Sequence, residues 1–402
     1  MLVELLIAVI IGVIAGTLTG LTPGIHVNLV SFLLIAYNDI IQVVVLYKII
    51  FIVAMSITHT FIDAIPSIYF GVPDSDTVLA VMPAHRLLLK GKAYEALKLT
   101  VIGSLFSLIA IIILCPLFII GVPLIYPFIN KYMAYFLIAV VCFAIFKVKT
   151  ASLKIWSLIV FILSGCLGLI VLNLINLEQP LLPMLSGLFG VSNILLSLKS
   201  NTKLPTQTIS NNIELAKGKI AKSSIVATFS GSLTGLFPGL GAAQASLIGM
   251  QFMGHIGAKS LLVLLGGINT ANFVFSLITL FVLNKARNGA IIAVTKLQPT
   301  ITFLDFFVII AAALITAALA TILCLYIGRK MSKYITYVNY TLLNLIILAI
   351  IFVITFYFTG IIGIVVLIIS TLVGLIAPMK GVAKSNAMGC LLIPSILFFL
   401  FS

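Results

Sequence analysis

The stretch Leu345–Phe358 reads Leu-Ile-Ile-Leu-Ala-Ile-Ile-Phe-Val-Ile-Thr-Phe-Tyr-Phe, with no charge and no alternation of polar and apolar positions. Such a string suits the hydrocarbon of a bilayer, where every backbone N–H and C=O must be paired inside its own segment or barrel. A barrel strand would alternate over about 10 residues, so the string is read as a helix. Similar runs recur near 2–21, 27–37, 41–72, 98–128, 131–147, 153–177, 180–198, 223–252, 259–284, 301–328, 342–358, 361–378 and 386–402. Several are too long or too interrupted for one straight span, which predicts about ten to twelve membrane-inserted segments, some of them broken. Composition closes off the soluble alternative. The 402-residue chain is 62% hydrophobic and 8% charged, against about 25% charged in soluble domains. A water-soluble fold could not hide that much apolar surface. The predicted fold class is all-α, a multi-pass protein of the cell membrane.

The formal charge of +14 does not point to nucleic acid. Lys and Arg collect in short polar loops between the runs, the pattern that orients membrane proteins with their basic loops inside. Two connections are long. One covers 73–98, with Arg86, Lys90, Lys92 and Lys98; the other covers 199–222, with Lys199, Lys203, Lys217, Lys219 and Lys222. The second reads as a polar cytoplasmic linker between a first membrane repeat with connecting helices (1–198) and a second with the C-terminal helices (223–402). Cys115, Cys142, Cys166, Cys324 and Cys390 lie in apolar runs without a CxxC pair, which weighs against disulfides and metal sites. The first run lacks a basic flank and a small-residue cleavage site, so it reads as a retained helix.

An internal repeat says more. Gly16-Thr-Leu-Thr-Gly-Leu-Thr-Pro-Gly-Ile-His26 returns 215 positions later as Gly231-Ser-Leu-Thr-Gly-Leu-Phe-Pro-Gly-Leu-Gly241, identical at seven of eleven positions. Ser31 and Ser246 follow in register. Proline removes a backbone donor and clashes with the preceding turn, and glycine admits conformations other residues resist. Together they break a helix and free backbone groups, which lipid tolerates only where they line a cavity or bind something. The half-helix after each break would aim its N–H groups and positive dipole end at that place. Paired broken helices in two halves point to a transporter's binding site. Only Met1–Glu4, with no Lys or Arg, precedes the segment that enters the first copy, whereas the lysine-rich linker precedes the segment that enters the second. The two repeats are therefore expected to be inverted.

Ordered along the chain are four stretches that resemble the TctA family, the large permease subunit of tripartite tricarboxylate transporters, in a short archaeal-type form. They are Gly20-Leu-Thr-Pro-Gly24; Gly71-Val-Pro-Asp-Ser-Asp-Thr77 leading to Lys90-Gly-Lys-Ala-Tyr-Glu-Ala-Leu97; Pro183-Met-Leu-Ser-Gly-Leu-Phe-Gly190; and Gly235-Leu-Phe-Pro-Gly-Leu-Gly-Ala-Ala243 with Asn386-Ala-Met-Gly-Cys-Leu-Leu-Ile-Pro394. Lys285-Ala-Arg-Asn-Gly289 stands where the resemblance would place another Pro-Gly. The resemblance implies a secondary transporter of a small organic anion such as a di- or tricarboxylate. It also implies a small membrane subunit and an extracytoplasmic binding protein as partners. Membrane lipid and a second copy of the chain complete the expected partners.

Ionisable groups at membrane depth are functional candidates by default. His59 and Asp63 are four apart, share a helix face, and could carry a coupling proton or help hold Na⁺, with no other cofactor expected. The substrate-binding candidates are Thr22, Pro23, Gly24, His26 and Asn28 at the first break, Pro238, Gly239, Gly241 and Gln244 at the second, and Asn269 and Asn272 further along the second half. Neutral amides with helix N-termini can hold a carboxylate or phosphate, and can equally bind helices to each other. The alternative cargo is a polyprenyl-phosphate lipid carrier flipped between leaflets. An intramembrane enzyme is a minor alternative. Without an HExxH site, a GxSxG elbow or a P-loop, the chain is predicted not to be an enzyme.

Overall fold

The computed structural model describes residues 2–22, 27–37, 43–71, 79–148, 150–175, 177, 179–199, 205–210, 212–236, 241–254, 257–337 and 340–401. No strand occurs among them. The first half runs α1 (Leu2–Leu21), α2 (Val27–Ala36), α3 (Val45–Ile62), α4 (Ala64–Tyr69), α5 (Val81–Leu88) and α6 (Ala93–Ile113). It continues through α7 (Cys115–Phe146), α8 (Ala151–Leu172) and α9 (Leu181–Leu185), then a π-helical turn at Ser186–Val191 and α10 (Ser192–Lys199). The second half runs α11 (Lys217–Gly235), α12 (Ala242–Met253), α13 (Ala258–Leu283), α14 (Gly289–Leu297) and α15 (Phe303–Tyr334). It ends with α16 (Tyr340–Met379), a 3₁₀ turn at Lys384–Met388 and α17 (Gly389–Phe401).

Among the described residues eight helical segments are long and apolar enough to cross a membrane, or nine if Cys115–Ile129 and Lys131–Phe146, bent by 76°, form one span. The helices that follow the two Pro-Gly motifs do not qualify. At ten and twelve residues, α2 and α12 reach only about 15–18 Å, half a bilayer. α13 is the centre of the bundle, with 89% of its apolar window buried, and α16 is its lipid-facing edge at 22%. Gly360 interrupts α16 with φ 60° and ψ −156°, a conformation open to glycine. The polar connection 73–98 is more structured than its composition suggests, since it contains α5 and the start of α6.

Small residues let the central helices touch, as helix association in lipid requires. A Cβ on Gly16 would fall 2.4 Å from the Met55 carbonyl oxygen and 2.7 Å from Thr58 Cβ. A Cβ on Gly231 would fall 2.5 Å from Ala271 Cβ and 2.9 Å from the Ile268 carbonyl oxygen. So α1 lies along α3 as α11 lies along α13. Ser31 and Ser246 each donate to the carbonyl four residues back, Val27 and Ala242, at 2.8 and 2.6 Å. Between the halves, α6 meets α13, and Ser104 donates to the Gly266 carbonyl at 3.0 Å.

The described part of the segment between the halves, 205–210 and 212–216, is tied down. Thr208 donates to the Gly91 carbonyl from both its N–H and its hydroxyl, each at 2.8 Å. Gln207 accepts from Ala93 N at 3.1 Å, and Glu214 N donates to Glu95 Oε1 at 2.8 Å. Lys259, at the start of α13, bridges Glu95 and Glu214 at 2.7 and 3.1 Å, while Lys92 pairs with Glu214. Lys92 and Lys259 hold the Glu214 carboxyl below the usual carboxylate range. Tyr69, at the end of α4, donates to the Gly328 carbonyl near the end of α15 at 2.9 Å. The end of α4, the end of α15 and the starts of α6 and α13 thus gather at one basic face, and the strap binds the starts of α6 and α13 to each other.

A second polar cluster forms beside the π turn. Lys384 is 7% exposed, and its ammonium donates to Ser192 Oγ at 2.7 Å, Asn193 Oδ1 at 2.5 Å and the Phe189 carbonyl at 3.4 Å. A π turn leaves carbonyls without their usual α-helical donors, and a cation on the neighbouring turn supplies one.

Candidate functional site

A cavity of about 750 Å³ lies between the halves, within the size range of small-molecule sites. Its polar wall comes from the starts of α2, α12 and α14 and the middles of α3 and α13. Its apolar wall comes from the end of α8, Leu181 and α17. The lining passes from buried residues in mid-helix, Ser56, His59 and Asn269, to exposed ones at helix ends, Leu172, Asn173 and Leu181.

Each polar side chain is positioned by a specific bond. Asp63 joins α3 to α4 in a helical conformation, φ −59° and ψ −20°, with its N–H donating to the His59 carbonyl at 2.9 Å. Asn269 donates from Nδ2 to Asp63 Oδ2 at 2.7 Å. Asn269 lines the cavity, with Asp63 behind it. His59 Nδ1 lies 3.1 Å from Thr19 Oγ1, so the repeated motif's threonine holds the imidazole of the next helix. Thr60 and Thr270 hydroxyls meet at 3.1 Å across α3 and α13. Gln244 turns back to accept from Gly241 N at 3.0 Å, closing the first turn of α12.

Asn28 is drawn to a different task. Its Oδ1 accepts from Ala290 N at 3.0 Å, while Asn288 accepts from Ile291 N at 2.9 Å. Two asparagines, one from each half, cap α14. A side chain at Gly289 would strike Asn28, whose Cγ lies 2.6 Å from the Cβ position.

Arg287 adds a charge to the cavity wall. Its guanidinium stands 5.2 Å from the centroid of the Tyr126 ring and hydrogen-bonds the phenol. Its Nε and Nη2 are buried with no hydrogen-bond partner among the described residues. Lys285 flanks the same ring at 4.6 Å and donates to Tyr126 Oη at 3.4 Å.

Of the sequence candidates, Asn28, His59, Gly241, Gln244, Asn269 and Asn272 line this one cavity, and Asp63 reaches it through Asn269. Thr22 ends α1 and is exposed outside the lining. Pro23, Gly24, His26, Pro238 and Gly239 lie outside the described residues. Sequence reasoning passed over Ser56, Thr60, Asn288, Arg287 and the whole apolar wall. The overlooked signal was Lys285-Ala-Arg-Asn-Gly289, where two cations in a short loop read as an orientation mark.

Residues 6–389 match the family described as the tripartite tricarboxylate transporter TctA family. The chain belongs to the TctA family. An uncharacterized protein of Methanocaldococcus jannaschii is 32% identical over 393 residues, covering 94% of this chain and 95% of that one. No solved structure matches it. TctA is a transporter family and not an enzyme family, which removes the intramembrane-enzyme alternative. The chain is a multi-pass membrane permease subunit, of a family that works within tripartite transporters beside a binding protein and a small subunit.

Proposed function

We propose that this TctA permease carries a small organic anion, such as a di- or tricarboxylate, through the cavity between its halves. The observation that carries this reading is the charge of the lining. Among the described residues, two buried guanidinium nitrogens of Arg287 have no hydrogen-bond partner, neutral amides and hydroxyls line the same cavity, and the described lining contains no Asp or Glu. An anion gains a charge-assisted partner there and meets no repelling carboxylate.

Coupling to Na⁺ or H⁺ is placed at Asp63 and His59, behind and beside Asn269. An ion there would act on the cargo through the Asn269 amide, so neither ligand need touch the other. We further propose that the halves are inverted repeats. In support, α1 and α3 run in one direction, with Gly12 against Ala54 and Gly20 against Ile62. α11 and α13 also run together, with Gly231 against Ala271 and Gly235 against Phe275. The first pair runs toward the basic face, where α4 ends at Tyr69, and the second runs away from it, since Lys259 starts α13 there. Basic loops orient to the cytoplasm. Arg287 follows the far end of α13, about 39 Å along that helix. The cavity would then face outward, where a binding protein delivers cargo. A homodimer remains part of the proposal.

The test is uptake of labelled succinate and citrate into proteoliposomes under imposed Na⁺ or H⁺ gradients, with Arg287→Gln alongside. Gradient-dependent uptake that the variant loses is the expected result. No uptake of either acid, with or without the cognate binding protein, sinks the organic-anion reading. Transbilayer movement of a polyprenyl phosphate in the same vesicles would favour the lipid-carrier alternative, to which the apolar wall lends itself.

A further inference from the structure

The cavity has two chemically different sides, and they come from different helices. Polar groups stand on the α2, α3, α12, α13 and α14 side. The rest of the lining, with Leu169 and Leu172 of α8 and Leu391, Leu397 and Phe399 of α17, carries no charge and is apolar apart from Asn173 and Ser395. A small, fully hydrated polyanion would leave that second surface wet and unmatched, and its desolvation would gain nothing. About 750 Å³ is also ample for more than a compact acid. The rim on the apolar side, including Leu172 and Phe398, is exposed at 37% and 54%, on helices α8 and α17 that are themselves candidate spans.

Resting on the reading of this cavity as the cargo site, we propose that the cargo is amphiphilic: an anionic head held by Arg287 and the facing amides, joined to an apolar body that lies on α8 and α17. The shared chemistry is head plus body. The body can belong to a water-soluble acid or to a membrane-resident isoprenyl phosphate.

The experiment uses the full chain in lipid nanodiscs and measures binding of 2-alkylsuccinates, from succinate itself to the octyl derivative. Affinity is expected to rise about fourfold per added methylene while the chain stays inside the cavity. Leu397→Asn should flatten that rise, and Arg287→Gln should weaken every member. If succinate and its octyl derivative bind alike, the inference is overturned while the anion cavity stands. If no member binds, and neither does a short isoprenyl phosphate, the cargo cavity and this inference fall together. Uptake of the alkylsuccinate into vesicles identifies the soluble source. Leaflet exchange of the isoprenyl phosphate identifies the lipid one.

Discussion

Asp63 Oδ2 accepts from Asn269 Nδ2 at 2.7 Å, across the line where the two halves meet. A carboxyl group at the junction of α3 and α4 therefore sets the orientation of an amide in the wall of the cavity. Protonation of Asp63, or a cation beside it, changes what that amide can offer the cavity. Asp63→Asn should leave cargo exchange across the membrane running while abolishing gradient-driven accumulation. Counterflow and uptake, measured on the same proteoliposomes, separate the two. Equal loss of both would mean that Asp63 serves folding alone.

Arg287→Gln removes a charge-assisted bond, worth about 1.5–3 kcal/mol, or roughly a ten- to 150-fold loss of anion affinity. Arg287→Lys should recover only part of it, because an ammonium lacks the guanidinium's planar fork. Titration of the purified protein with labelled anion reads both. An unchanged Kd in Arg287→Gln would remove the residue from the site.

Lys384→Ala sets two effects against each other. Burying an ammonium is costly, and the surrounding helices α8, α10, α16 and α17 contain no Asp or Glu to offset it. Removing it strands acceptors instead. Ser192 already donates to the Leu188 carbonyl at 2.7 Å, so Asn193 Oδ1 and the Phe189 carbonyl bear the loss. Each buried unsatisfied group costs about 1–3 kcal/mol, and the net expectation is a lower Tm. Thermal unfolding of Lys384→Ala beside Lys384→Met measures it, and a Tm at or above the parent's would show that the buried charge dominated.

Burial in α5 pushes the His85 imidazole down to about 4 from its ordinary 6.5. The unfolded chain takes up a proton on this ring below pH 6.5, and the folded one does not until about pH 4. His85 thus contributes stability that is complete above pH 6.5 and declines as pH falls toward 4. Tm should fall across that window, with a shallower fall in His85→Asn. Glu214, held below the usual carboxylate range, adds its own loss at more acid pH.

The spans were legible because lipid imposes length and apolarity on each helix independently. So were five of the cavity's polar residues, because a polar side chain in an apolar run must have a reason. What escaped the sequence depends on the third dimension. Asp63 and Asn269 are 206 residues apart, and no local pattern pairs them. Leu169 and Leu397 have the same composition as residues that face lipid, and only packing turns them toward a cavity. Arg287 was masked by a rule that is usually sufficient, since short basic loops do orient membrane proteins. The strap was hidden in the same way. Ser, Thr and Asn between two lysine-rich ends suggest solvation, yet here hydrogen bonds from Gln207, Thr208 and Glu214 tie the described part of the segment to α5, α6 and the turn between them.

That strap makes the two faces of the permease mechanically unequal. Parting the halves on the basic side means releasing Glu95 and Glu214 from Lys259 and peeling an extended segment from Gly91 and Ala93. Parting them at the Arg287 side disturbs none of these bonds. Single exposed ion pairs are worth about 1 kcal/mol or less, but these bonds must break in concert. On the proposed orientation, a permease latched in this way would rest with its intake open, and each release inward would begin by undoing the latch.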